Sequence, residues 1–222
     1  PVVETRQGAL IGFTEGDTHV WCGIPYAAPP VGPWRWRSPR PPARWDGVRP
    51  ATAFSASSWQ SSESCQELGG GDPGQFSEDC LYLNVWSPVA RAAPLPVMVW
   101  LHGGGFTLGA GGLPPYNGRA LAKRGTVVVT INYRLGHLGF FAHPALEGEE
   151  ERVVHNFALL DQIQALEWVR DNIAAFGGDP ENITVFGESA GARSVLSLMA
   201  SPLAGGLFHK AIVQSGYTLP DT

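Results

Sequence analysis

Gly187-Glu188-Ser189-Ala190-Gly191 follows the pattern G-x-S-x-G. That spacing sets a serine hydroxyl on a sharp turn between a strand and a helix. The apolar run Ile183–Phe186 precedes it, and the small residues after Ser189 suit the first turn of a helix. A serine placed this way is held in a strained conformation with Oγ exposed. The glycines two residues to either side lack Cβ, so strand and helix can approach closely. The chemistry is nucleophilic attack on a carbonyl, and the helix N-terminus favours the negative charge that develops.

A second element has a matching use. His102-Gly103-Gly104-Gly105-Phe106 follows the apolar run Pro96–Leu101. Acyl transfer creates an oxyanion as the carbonyl carbon becomes tetrahedral, and backbone N–H groups fixed in advance stabilise it. Glycines let the substrate oxygen reach that backbone. The rival chemistry is a phosphate cradle. It is disfavoured because no helix with a Lys-Ser/Thr signature follows, and Gly109–Gly112 lacks dinucleotide-binding spacing. His102 itself reads as structural rather than as a base.

The elements that must hold these residues are visible as hydrophobic patterns. Pro96–Leu101, Thr126–Ile131, Ile183–Phe186 and Ala211–Gln214 are short continuous apolar runs, as in central strands of a parallel sheet. Helical segments separate them: Asn117–Arg124, Asn156–Phe176 and Ala190–Met199. In the second, Leu159, Ile163, Leu166, Val169, Ile173 and Phe176 trace one face, and Gly177-Gly178 stop it. Strand–helix alternation means right-handed crossovers and an α/β fold. Upstream, Val2–Thr5 and Ala9–Phe13 read as a hairpin around Gln7-Gly8, and Leu81–Trp86 alternates as a strand. The proline-rich stretch Tyr26–Pro50 reads as an ordered loop pinned by Trp34, Trp36 and Trp45.

Composition sets the outer limits. The 222 residues are 44% hydrophobic and 16% charged, with net charge −5. Disorder is excluded, and no apolar run approaches the roughly 18–20 residues of a membrane span. No basic patch stands out, so neither nucleic acid nor an anionic membrane is an expected partner. The length and the lack of repeats or polar linkers give one domain or part of one. No Cys/His cluster has metal-ligand spacing, and no cofactor is expected. Cys65 and Cys80 flank a Gly-rich polar loop. A bridge worth roughly 3 kcal/mol and a pair of free thiols both stay open. The sequon Asn182-Ile183-Thr184 leads into a core strand and is expected to stay unmodified.

Taken in order, Glu78–Trp86, Pro96–Phe106, Asn132–Gly136, Leu160-Asp161-Gln162, Phe176–Pro180 and Phe186–Gly191 resemble the motifs of type-B carboxylesterases, the family of cholinesterases and bacterial p-nitrobenzyl esterases. The resemblance covers essentially the whole chain. It implies an α/β-hydrolase fold, here the N-terminal part of one catalytic domain over residues 1–222. The mostly parallel central sheet would carry antiparallel N-terminal strands. It implies Ser189 as nucleophile, with the Gly104, Gly105 and Ala190 amides as oxyanion hole and Gly103 behind them. It also implies Glu188 as a buried carboxylate beside the serine, Ser215 as a supporting serine, ion pairs Arg35–Glu78 and Arg134–Asp161, and Cys65–Cys80 as the ends of a small disulfide loop.

One part is missing. The mechanism needs a base and an acid, and in this fold they follow the serine in the order acid, then His. After Ser189 the chain offers only His209, too near the turn in sequence. His19, His137, His143 and His155 precede the serine and read as surface or supporting residues. Family members are more than twice as long, so the acid and His are expected from a complementary C-terminal polypeptide, separated by a nick or break near Asp221-Thr222. The expected substrates are neutral carboxylic esters, with Phe106 and Leu108 lining an apolar pocket. The loop between Cys65 and Cys80 holds no Trp to face a quaternary ammonium, so poor choline-ester turnover is expected. Two alternatives are a non-catalytic adhesion domain on the same fold and an inactive fragment. A cytoplasmic location is weakly favoured over secretion.

Overall fold

The structure is a computed structural model and describes residues 1–146 and 155–216. The expected break near Asp221-Thr222 lies outside the described residues. In chain order the strands are β1 (Val2–Glu4), β2 (Ala9–Ile11), β3 (Phe13–Glu15), β4 (Thr18–Pro25), β5 (Val48–Pro50), β6 (Tyr82–Pro88), β7 (Leu95–Leu101), β8 (Val127–Ile131), β9 (Gly178–Glu188) and β10 (Lys210–Gln214). The helices are α1 (Ser62–Glu67), α2 (Arg119–Ala122), α3 (Gly136–Phe140), α4 (Phe157–Asn172) and α5 (Ala190–Ala200).

Seven strands form one sheet in the order β10-β9-β7-β8-β6-β4-β3. β10, β9, β7 and β8 run parallel, and β6, β4 and β3 continue antiparallel. A small sheet, β1-β2-β5, stands beside it. The β-branched run of β8 is buried at every position, as a strand covered on both faces must be. Its side chains divide by parity. Val127 and Val129 enter the main core with Leu83, Val99, Leu166 and Val195 from β6, β7, α4 and α5. Val128 joins Val20, Trp86 and Ala122 on the opposite face, under α2.

The apolar run in β10 suggests a central strand. Among the described residues it is the outer one, with Ile212 42% and Val213 37% exposed. The helix expected over Asn156–Phe176 divides into α4 and a 3-10 turn, Ile173–Phe176, closed by Gly177 at φ 85°. That positive φ is the usual glycine stop. The tryptophans of the proline-rich stretch do pin it. Trp45 Nε1 donates to the Ala9 carbonyl and Trp36 Nε1 to that of His137, each at 2.9 Å, and Arg40 lies 3.3 Å from the Trp34 ring centroid. Asn182 Oδ1 accepts from Lys210 Nζ.

Of the two open readings of Cys65 and Cys80 the structure has the free thiols and not the bridge that the resemblance implies, and all three cysteines are free and buried. The two thiols belong to different clusters. Cys65 packs with Ala110 and Leu113, whereas Cys80 sits in the main core. The side chain beside Cys80 is Ser58 instead, and burial pushes the thiol up to about 12. A Ser58→Cys variant is therefore expected to bridge to Cys80 and to stabilise the fold by up to about 3 kcal/mol through loop closure. Part of that gain goes to the lost bond from the Leu135 amide to Ser58 Oγ, 3.1 Å. Thiol titration of denatured protein, with and without reductant, checks this, together with the unfolding midpoint. A full complement of free thiols without reductant refutes it.

Candidate active site

Parallel pairing brings the two glycine motifs together. Leu101 at the end of β7 pairs with Gly187 on β9, so the segments leaving both strands emerge at the same sheet edge. There Gly103 faces the serine. A Cβ at Gly103 would lie 2.9 Å from the Glu188 carbonyl oxygen and 3.3 Å from Ser189 Cβ. Gly187 and Gly191 pack on one another, and a Cβ on Gly191 would strike the Leu101 carbonyl. Small residues are required because two backbones share that space.

Ser189 stands between β9 and α5 with φ 53° and ψ −117°. A non-glycine residue at positive φ costs roughly 1–3 kcal/mol and persists only where its surroundings impose it. The Ser189 amide is tied to β10 through the Gln214 carbonyl, 2.9 Å, and its own carbonyl accepts from Arg193 inside α5, 3.0 Å. Ser215 after β10 shares the same positive φ, 53°.

The glycine loop is equally contorted. Gly104, Gly105, Phe106 and Gly109 all have positive φ, and the Thr107 and Leu108 amides both donate to the Gly104 carbonyl at 3.0 Å. Among the described residues, the amides of Gly104, Gly105 and Ala190 donate to no carbonyl or side chain. Ala190 opens α5, where the first amides have no partner inside the helix. Gly105 is exposed and Gly104 half-buried.

Serine and glycine loop border a cleft of about 410 Å³. Leu68, Leu108, Leu113 and Tyr116 form its apolar side, with Cys65 and Gly70 beside them, and Glu188 flanks the serine. A second cavity of about 220 Å³, around Asn84 and Asn132, shares no lining residue with it.

Leu108 lines the cleft but Phe106 does not. The Phe106 ring turns toward Phe140, 5.1 Å between centroids, and lies under the Arg193 guanidinium at 5.9 Å. It packs, partly buried, against the main core. Among the described residues nothing covers Glu188 or Ser215. Both stand where β9 and β10 end, at the open side of the sheet. Arg35–Glu78 and Arg134–Asp161 pair as expected, at 2.6 and 2.7 Å between charged atoms.

The histidines are not poised to serve Ser189. His102 is fully buried, stacks on Tyr133 at 4.3 Å, and donates from Nδ1 to the Gly103 carbonyl at 2.8 Å. Burial pulls its pKa down to about 4, although the bond to Gly103 opposes this, so it is neutral near pH 7. His209 Nδ1 accepts from the Ile183 amide at 3.1 Å. Ile183 lies six residues before Ser189 along β9, about 20 Å away at strand rise. No histidine lines the cleft.

Two side chains escaped the sequence reading. Gln60 grips the peptide at Gly109: its Oε1 accepts from the Gly109 amide at 2.8 Å and its Nε2 donates to the Gly109 carbonyl at 2.9 Å. Tyr133 OH donates to the His102 carbonyl at 2.6 Å. An isolated Gln or Tyr carries no local pattern that would reveal such a role. Among the described residues no cluster could hold a metal ion, and no helix is long and apolar enough to cross a membrane.

Comparison with known proteins agrees with this geometry. The Carboxylesterase family model matches residues 1–221. The chain is 52% identical over 216 residues to a para-nitrobenzyl esterase of Bacillus subtilis (strain 168), covering 97% of this chain and 43% of that protein. It is 51% identical over 217 residues to a fumonisin B1 esterase of Sphingopyxis macrogoltabida, covering 96% and 39%. Among solved structures, a PNB esterase superposes with TM-score 0.90 at 50% identity, over 97% of this chain and 44% of that one. A carboxylesterase of Geobacillus stearothermophilus gives 0.86 at 50% identity, over 95% and 42%. The chain thus spans less than half the length of these relatives, and its sheet is that of the α/β-hydrolase fold. On the match along its length and on this shared architecture, the chain belongs to the carboxylesterase family.

Proposed function

We propose that this chain carries the nucleophile and oxyanion hole of a serine carboxylesterase acting on neutral carboxylic esters. Ser189 Oγ attacks the ester carbonyl, and the carbonyl oxygen, now negative, accepts from the Gly104, Gly105 and Ala190 amides. The alcohol departs, leaving an acyl-serine, and water then releases the acid. Donors fixed before the reaction lower the barrier most effectively, and losing one typically costs about 3–4 kcal/mol. The observation that carries this reading is the strained Ser189 backbone at the mouth of an apolar cleft, beside amides without acceptors. A binding-only role would leave that strain without a use.

The base and the acid that orients it come from polypeptide beyond the residues described. The support is local: no histidine borders the cleft, and His209 is bound at Ile183, midway along β9. Both halves form one α/β-hydrolase catalytic domain, and this chain is the N-terminal part.

Hydrolysis of a p-nitrophenyl ester series, with intact-mass detection of an organophosphate adduct on Ser189, tests the proposal. Neutral esters are expected to turn over. Choline esters are expected to lag, by about tenfold or more in kcat/KM, because among the described residues the cleft holds one aromatic ring, Tyr116, and no Trp to face a quaternary ammonium. Labelling of another residue, or activity from a monomer of this chain alone, would overturn the corresponding part.

A further inference from the structure

We infer that Gln60 is a positioning residue for the oxyanion loop, an inference that rests on the esterase reading above. The glycine loop turns on itself, so its two ends touch. A Cβ built on Gly109 would lie 2.8 Å from the Gly103 carbonyl oxygen and would collide with the His102 ring. Whatever holds Gly109 therefore holds the base from which Gly104 and Gly105 project.

Gln60 holds it from both sides. One carboxamide accepts from the Gly109 amide and donates to the Gly109 carbonyl, while its Nε2 also donates to the Ser58 carbonyl at 3.1 Å. Ser58 is fixed in turn, by the Leu135 amide at 3.1 Å and by contact with Cys80 in the main core. A continuous chain of contacts thus runs from the core through Ser58 and Gln60 to Gly109, and on to His102 and Gly103. The loop needs this tether. Of its four residues at positive φ three are glycines, which permit that conformation but do not select it over others, so the shape has to be fixed from outside. A glutamine suits the task because a carboxamide presents a donor and an acceptor side by side, matching both groups of one residue's backbone.

Displacement of catalytic donors by an ångström can cost up to about a hundredfold in rate. Gln60→Ala and Gln60→Met, the second retaining most of the side-chain volume, are measured in the full-length protein. In both, kcat per organophosphate-titrated Ser189 is expected to fall about tenfold or more, with KM within about twofold of wild type. The Ki of a trifluoromethyl ketone, which forms a tetrahedral oxyanion on the serine, should rise by the same factor. A merely structural role would lower the melting temperature and the titratable fraction but leave kcat per labelled site and Ki unchanged; that result overturns the inference. Full kcat in Gln60→Met overturns it as well, since packing alone would then suffice. If Ser189 in the wild-type protein takes no organophosphate, the esterase reading falls and the inference with it. If Ser189 is labelled and both variants behave as wild type, only the inference falls.

Discussion

Ser189→Ala is expected to lower ester hydrolysis by the full-length protein at least about 10⁴-fold, without lowering its stability. No neighbour among the described residues is ready to replace the nucleophile: Thr107 Oγ1 donates to the Gly104 carbonyl at 3.3 Å, and Cys65, buried at the cleft, has its thiol pKa raised by burial. The hydroxyl makes no hydrogen bond among the described residues, so its loss leaves no partner unsatisfied. Alanine keeps a Cβ and with it the strain at φ 53°. Ser189→Gly gives the internal comparison. It should be equally inactive, yet resist denaturant better by about 1 kcal/mol or more, because glycine tolerates positive φ. Parallel measurement of p-nitrophenyl ester turnover and urea midpoints separates the two effects. Retained activity in Ser189→Ala would remove the nucleophile assignment.

The largest stability loss is expected from Asp161→Ala, about 3–5 kcal/mol. Asp161 is fully buried on α4 and receives two bonds from Arg134, Nε at 2.8 Å and Nη2 at 2.7 Å, plus the Arg134 amide at 3.1 Å. The Arg134 side chain is only 2% exposed, so removing the carboxylate strands a charge away from water. Total stabilities of about 5–15 kcal/mol make this a large fraction. The exposed pair Arg6–Asp171 offers the contrast. Its Arg6 side chain is 65% exposed, and breaking it should cost less than about 1 kcal/mol. A double variant, Arg134→Met with Asp161→Leu, should be closer to wild type than Asp161→Ala, because the uncompensated charge is gone. Chemical denaturation of the three variants decides this. Equal losses at the buried and exposed pairs would show that burial does not set the cost.

Much of the scaffold was legible as local pattern. The β-branched run Thr126–Ile131 became a strand over Val127–Ile131 buried throughout, and the spacing from Leu159 to Phe176 marked a helix whose apolar face enters the same core. Gly177 closed that segment as glycine does after a helix. Two other elements were not legible. β4 mixes Thr18, His19 and Gly23 with its apolar residues, and α1 is a single polar turn capped by Ser61. Neither has enough periodic apolar residues to stand out, and each forms because a neighbour receives it: β4 pairs with β6, and α1 buries Cys65 against Ala110 and Leu113.

By itself, the sequence determined that a serine stands at a strand-to-helix turn and that a glycine run follows a second strand. Both are matters of backbone geometry over a few residues: small side chains permit the turns, and apolar runs build the strands. Tertiary structure alone decided who meets whom. It set Leu108 rather than Phe106 in the cleft, matched Ser58 rather than Cys65 to Cys80, and put Gln60 on Gly109. Those contacts join segments far apart in the chain, and their geometry depends on strand register. Pairing β7 with β9 at Leu101 and Gly187 brings Gly103 up to Ser189, and a shift of one residue would direct every side chain beyond it to the opposite face.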